Sequence, residues 1–189
     1  MSTNSRAAFT LVELLVALIV SSILVAATAS VYSLFRKSMA AAQTQADISQ
    51  NGRIVVDRLS RELRQTPEVV TDLPTDPSDT SVPQPASIEF QNGHTSDLAY
   101  YRYYLSGTTL ELETAQYAFA SDPATRVPDT ATDADGNAPV RSVISTVAIA
   151  EHVQSLAFYG NGATIRFDLT TGDGATQSYP LETVIDRRN

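Results

Sequence analysis

Apolar and polar positions follow three different rhythms along this chain. From Phe9 to Val31 there is almost no alternation, because 23 residues hold one charged side chain, Glu13. As a helix rising about 1.5 Å per residue this stretch spans roughly 34 Å, enough for a ~30 Å hydrocarbon core, so it predicts a membrane helix. Arg6 precedes it and Arg36 and Lys37 follow it, so the basic flanks nearly balance and orient the span only weakly. Beyond Lys37 the apolar residues thin to about one per turn. Ile48, Gly52, Val55, Leu59 and Leu63 recur at intervals of 4, 3, 4 and 4, one stripe of an amphipathic helix that meets no proline before Pro67. Asp57 with Arg61 and Arg58 with Glu62 are (i, i+4) pairs on other faces, each worth about 0.2–0.5 kcal/mol. Gly52 costs about 1 kcal/mol relative to alanine and marks a bend or a close approach. Together the two segments predict one helix from near Phe9 to Gln65. Its first half would project, while its second half packs the stripe on a globular head. A coiled-coil dimer is the rival, but the spacing leaves heptad register within three turns.

The third rhythm is that of strands. Pro67, Pro74, Pro77, Pro83 and Pro85 among Thr, Asp and Ser describe a loop leaving the helix. Ala86–Gln91 then reads as a strand before the Asn92-Gly93 turn signal, followed by Leu98–Leu105 and, after Ser106-Gly107, Thr109–Thr114. A long loop over roughly 120–140 comes next. Val153–Tyr159, Ala163–Thr170 and Gln177–Ile185 read as a closing meander, with turns at Gly160-Asn161-Gly162 and Gly172-Asp173-Gly174. Six or seven strands against one helix predict an α+β fold, the helix resting on an antiparallel β-sheet head.

Composition sharpens the division. Residues 1–65 carry seven basic and four acidic side chains; residues 66–189 carry six and 17, a net of −11, and hold all nine prolines. Twelve Arg and one Lys leave no lysine-rich tail for phosphates, so no nucleic-acid partner is expected. The absence of cysteine excludes a disulfide scaffold, a Cys-ligated zinc site and a thiol nucleophile.

Glu13 is the anomaly of the apolar stretch, since a carboxylate at mid-span costs roughly 2.5–3.5 kcal/mol. One reading lets it snorkel to the head groups from near the start of the span. The other begins with the octet MSTNSRAA, polar and ending in two small residues. A cut after Ala8 would leave an ammonium on Phe9, one turn from Glu13. Such an ammonium and a neighbouring chain's Glu13 can pair in an apolar bundle, each offsetting the desolvation of the other.

The string Ala8-Phe9-Thr10-Leu11-Val12-Glu13 with its apolar continuation resembles the class III signal of type IV prepilins and type II secretion pseudopilins. The resemblance implies a pilin-like fold, cleavage between Ala8 and Phe9 by a prepilin peptidase on the cytoplasmic face, and N-methylation of Phe9. Ala8 departs from the glycine usual before the cut. Arg53-Ile54-x-x-Asp57-Arg58-Leu59-Ser60-Arg61-Glu62-Leu63-Arg64-Gln65 resembles W-type minor pilins and J-type minor pseudopilins, as does the ending Thr183-Val184-x-x-Arg187-Arg188-Asn189. The expected organisation is a leader over 1–8, a transmembrane and filament-core half-helix over 9–35, an amphipathic half over 36–65, and an acidic β-rich head over 66–189. The implied location is a single pass of the inner membrane with an extracytoplasmic head, and a filament after assembly. The implied partners are other pilins or pseudopilins through the helix, the peptidase and an inner-membrane assembly platform. Ala27-Thr28-Ala29 keeps a rival open: an ordinary secretory signal cut before Ser30, or an uncleaved anchor, on a binding domain that never polymerises.

The head offers little chemistry. Tyr100, Tyr101, Tyr103 and Tyr104 around Arg102 suggest base stacking, but the surrounding acidity favours strand packing. His94 and His152 lack a second ligand at metal spacing, and no nucleophile elbow, P-loop or paired-carboxylate motif is present. No enzyme is expected. Asp129, Asp133, Asp135 and Asn137 around Gly136 supply the hard oxygens and turn that Ca²⁺ needs, without EF-hand spacing, and a solvated acidic loop is the favoured alternative.

Overall fold

The computed structural model describes residues 10–94, 98–160, 163–174 and 178–186. The chain divides into two units, Met1–Gln45 and Ala46–Asn189. One helix, α1, spans Leu11–Gln65. Eight strands follow: β1 Ser87–Gln91, β2 Tyr100–Ser106, β3 Thr109–Phe119, β4 Asp122–Arg126, β5 Val140–Ala150, β6 Val153–Gly160, β7 Thr164–Gly172 and β8 Ser178–Asp186.

In the first unit every described residue is exposed, and apolar side chains cover α1 on all sides from Leu11 to Phe35. In the second unit α1 buries Ile48, Gly52, Val55, Leu59 and Leu63, the stripe that the 4-3-4-4 spacing predicts. Each large apolar member contributes on the order of 1.5–3 kcal/mol when fully removed from water. A β-carbon on Gly52 would stand 3.0 Å from Leu181 Cδ1 and 3.4 Å from Thr171 Oγ1, so the glycine admits β7 and β8 close to the helix backbone.

The helix ends where Pro67 withholds a backbone donor. Thr66, 1% exposed, places its hydroxyl 2.7 Å from the carbonyls of both Glu68 and Gln91. A β-carbon on Gly93 would lie 1.7 Å from the Gln65 carbonyl oxygen. The Asn92-Gly93 turn therefore needs glycine because the helix end fills the space beside it.

The strands form two antiparallel sheets. β1, β2, β3, β4 and β5 make one, and β6, β7 and β8 the other. Ala115 pairs with Tyr100 of β2 on one side and Val143 of β5 on the other, so β5 occupies the β3 edge opposite β2. The core is shared: Val55, Leu59 and Leu63 meet Ile88, Phe90, Tyr103, Leu110 and Leu112 of the first sheet and Phe158, Ile165, Phe167 and Leu169 of the second. Phe90 stacks on Tyr103 at 6.0 Å.

Three expectations are corrected. The head has two sheets rather than one, and eight strands among the described residues rather than six or seven. The loop expected over 120–140 contains β4, and β3 continues past Thr114 to Phe119. Finally, β5 has no counterpart in the expected strands. β4 is fully exposed and holds Pro123, so no apolar alternation marks it. β5 is broken by register shifts opposite Thr114/Ala115 and Leu110/Glu111, which leave Ile144 and Ile149 without an opposite residue. Its apolar positions consequently read 140, 143, 144, 147, a spacing that hides the period of two.

Candidate assembly helix

The first described turn of α1 explains part of Glu13. Thr10 precedes the helix and Glu13 sits three residues on. The Thr10 amide and hydroxyl donate to Glu13 Oε2 at 3.0 and 3.1 Å, and the Glu13 amide donates to Thr10 Oγ1 at 3.3 Å. This is a reciprocal capping box, which satisfies donors that a helix start otherwise leaves open. A carboxylate at this end also complements the positive pole of the helix. The signal was present in the sequence as Thr-x-x-Glu before an apolar run, and attention to membrane charge alone passes over it.

Three further hydroxyls of the apolar stretch bond back to the helix itself. The Ser22 hydroxyl donates to the Ile19 carbonyl (2.7 Å), Thr28 to Leu24 and Val25 (3.0 and 2.9 Å), and Ser30 to Ala26 (2.9 Å). Each hydroxyl thereby keeps its donor within the helix, which is what an apolar medium would require of it. The helix continues through Ala27–Ser30. At the far end the Arg36 guanidinium lies 5.9 Å from the Tyr32 ring, an amphipathic pair suited to a membrane interface.

The other expected residues are dispersed. Ala8 and Phe9 lie outside the described residues, as do Arg187, Arg188 and Asn189. Tyr100 and Tyr103 are fully buried, as packing predicts. Burial pushes the Tyr100 phenol up to about 12. Tyr103 is likewise raised by burial. His94 Nε2 lies 2.9 Å from Glu62 Oε2 and ties the β1–β2 connection to α1. His152 turns the chain from β5 into β6 at φ 63°, a left-handed conformation unusual for a residue with a β-carbon.

The acidic loop is held by its own hydrogen bonds. Asp133 Oδ1 accepts from the amides of Asp135 and Asn137 at 2.9 and 2.8 Å, and Oδ2 from Asn137 Nδ2 at 3.0 Å. Those bonds from Asn137 hold the Asp133 carboxyl below its ordinary value. Asp129 accepts from the Tyr100 hydroxyl at 3.1 Å and does not join them. Among the described residues no three His, Cys, Asp or Glu side chains are placed to hold a metal ion.

Sequence reasoning missed a clasp on the outer face of the first sheet. Arg141 of β5 reaches Glu89 of β1 (2.9 Å) and also pairs with Glu113 of β3. Tyr117 donates to Glu89 at 3.0 Å, and burial, with Glu89 beside it, pushes its phenol up to about 12. The four residues are up to 52 positions apart, and a pattern of local periods carries no sign of them.

Residues 3–29 match the family model of the prokaryotic N-terminal methylation motif. That match supports a type IV prepilin-like protein, and a long N-terminal helix followed by antiparallel sheets is consistent with an α+β pilin-like fold. It carries the motif of a prepilin-peptidase substrate, and that motif with the apolar helix fits a single-pass membrane anchor. Proteins of this kind are in general structural rather than enzymatic. No curated protein and no solved structure matches the chain significantly.

Proposed function

We propose that this chain is a minor subunit of a type IV filament system, either a J-type pseudopilin of type II secretion or a W-type minor pilin. The observation that supports it best is the first half of α1: apolar and exposed all round, with a single carboxylate in its first turn. Such a surface needs lipid before assembly and other helices afterwards. Prepilin peptidase removes residues 1–8 and methylates Phe9, freeing an ammonium. As subunits leave the bilayer, Glu13 exchanges its hydrogen bonds from Thr10 for the ammonium of a neighbouring subunit.

Two substitutions separate the cap from the charge. Glu13→Gln keeps a side chain that can close the capping box but removes the charge; Glu13→Val removes both. Both variants are expected to insert and to be cleaved, and both to be depleted from sheared filament fractions measured by immunoblot. Normal assembly of Glu13→Gln would leave Glu13 a cap alone. Intact mass of the membrane-extracted protein tests processing. A chain beginning at methylated Phe9 supports the reading, whereas one beginning at Ser30 or retaining Met1 supports a domain that does not polymerise.

A further inference from the structure

β5 is an uncovered sheet edge. It pairs with β3, and among the described residues nothing pairs with its other side. The opposite edge of the same sheet is covered by the chain itself: the Val70 amide donates to the Glu89 carbonyl and the Gln91 amide to the Glu68 carbonyl, both at 2.9 Å. On β5, by contrast, Val140, Val143, Ile144 and Val147 are 52–54% exposed. The register sets Val147 beside Leu112 on the core-facing side and Val143 beside Ala115 on the other, so apolar side chains stand free on both faces. Residues 142–150 hold no charge, proline or glycine. Arg141, the one charge of the strand, is engaged by Glu89 and Glu113. Of the devices that normally protect an edge, only the two bulges are present.

Whatever covers β5 must satisfy a row of backbone N–H and C=O groups as well as β-branched side chains. Lipid or a helix face would strip the water from those groups and return nothing, whereas a strand pairs with them. Charge narrows the choice further. The loop entering β5 carries Asp129, Asp133 and Asp135, and Glu151 follows its last residue. A second copy paired antiparallel would bring Asp133 and Asp135 of each chain toward Glu151 of the other, between heads of net −11. We infer that β5 is a docking edge for a strand of a different protein, uncharged and β-branched in its middle and flanked by Lys or Arg. This inference stands independently of filament assembly.

The test uses full-length protein in detergent micelles and two fluorescent peptides, each an alternating Thr-Val strand, one flanked by lysines and the other by glutamates. Fluorescence anisotropy is expected to show the lysine-flanked peptide binding about tenfold more tightly, with an advantage that fades at high salt. Ile144→Lys and, separately, Val143→Lys should weaken it by about tenfold or more while leaving the thermal midpoint unchanged. Val184→Lys, equally exposed on β8 at 56%, should not affect binding. Equal affinity for both peptides, no binding of either, or an equal loss in Val184→Lys would overturn the inference. A dimer of the protein alone that Ile144→Lys dissociates would also overturn it, in favour of a second copy.

Discussion

The two halves of α1 share one continuous backbone helix and differ in how they distribute their apolar residues. Residues 10–45 expose Leu11, Leu14, Leu15, Leu18, Ile19, Ile23, Leu24 and Phe35, each by half or more of its surface. Residues 46–65 expose few large apolar side chains and bury Ile48, Val55, Leu59 and Leu63 completely. The difference lies in what each half faces. A helix that meets a head on one side and water on the other needs a stripe; a helix surrounded by lipid or by other helices needs none. Periodicity therefore reports the number of environments around a helix, and its absence in the first half is itself information.

The largest effect that tests this contrast comes from truncating one leucine in each half. Leu59→Ala should destabilise the second unit by about 2–5 kcal/mol, seen as a fall in the thermal midpoint. Leu24→Ala should leave that midpoint unchanged and act on membrane retention or assembly alone. Equal losses would mean that the first half of the helix also packs on the protein.

A second test uses pH, since the raised phenols lie in the second unit. Tyr100 and Tyr117 each titrate near 12 when folded, above the ordinary tyrosine value of ~10. The folded state thus holds protons that the unfolded chain releases, so this contribution is complete below pH ~10 and is lost as pH rises toward 12. Stability from denaturant titration should fall across that window, and the double variant Tyr100→Phe, Tyr117→Phe should fall less steeply. The smallest effect is at the crossing from β5 to β6. His152→Gly relieves a left-handed backbone and should raise the midpoint by the equivalent of no more than about 1 kcal/mol.

Much of the architecture was legible in the residues, for reasons that also explain the gaps. The helix end at Gln65, the five-residue stripe and the Asn92-Gly93 turn arise from local chemistry: a proline, a period and a glycine. β7 alternates cleanly because one of its faces is buried, whereas the register shift between Val153 and Ser155 disturbs the alternation of β6. β4 and β5 escaped because pairing with β3 holds them rather than burial. The split into two sheets depends on a two-residue crossing at Glu151 and His152, a distinction that alternation within strands does not encode. Of the candidate site, Glu13 was legible as a charge out of place, while its partnership with Thr10 needed the question of where the first amides of a helix find acceptors.

The clasp centred on Arg141 has a further consequence. Because one guanidinium is tied to carboxylates on two other strands, β5 cannot slip by a pair of residues along β3 without breaking both ties. Any chain laid along its free side would meet a fixed ruler rather than a sliding one. Fidelity of recognition there would then be decided by side chains on the far side of the sheet that the incoming chain never touches.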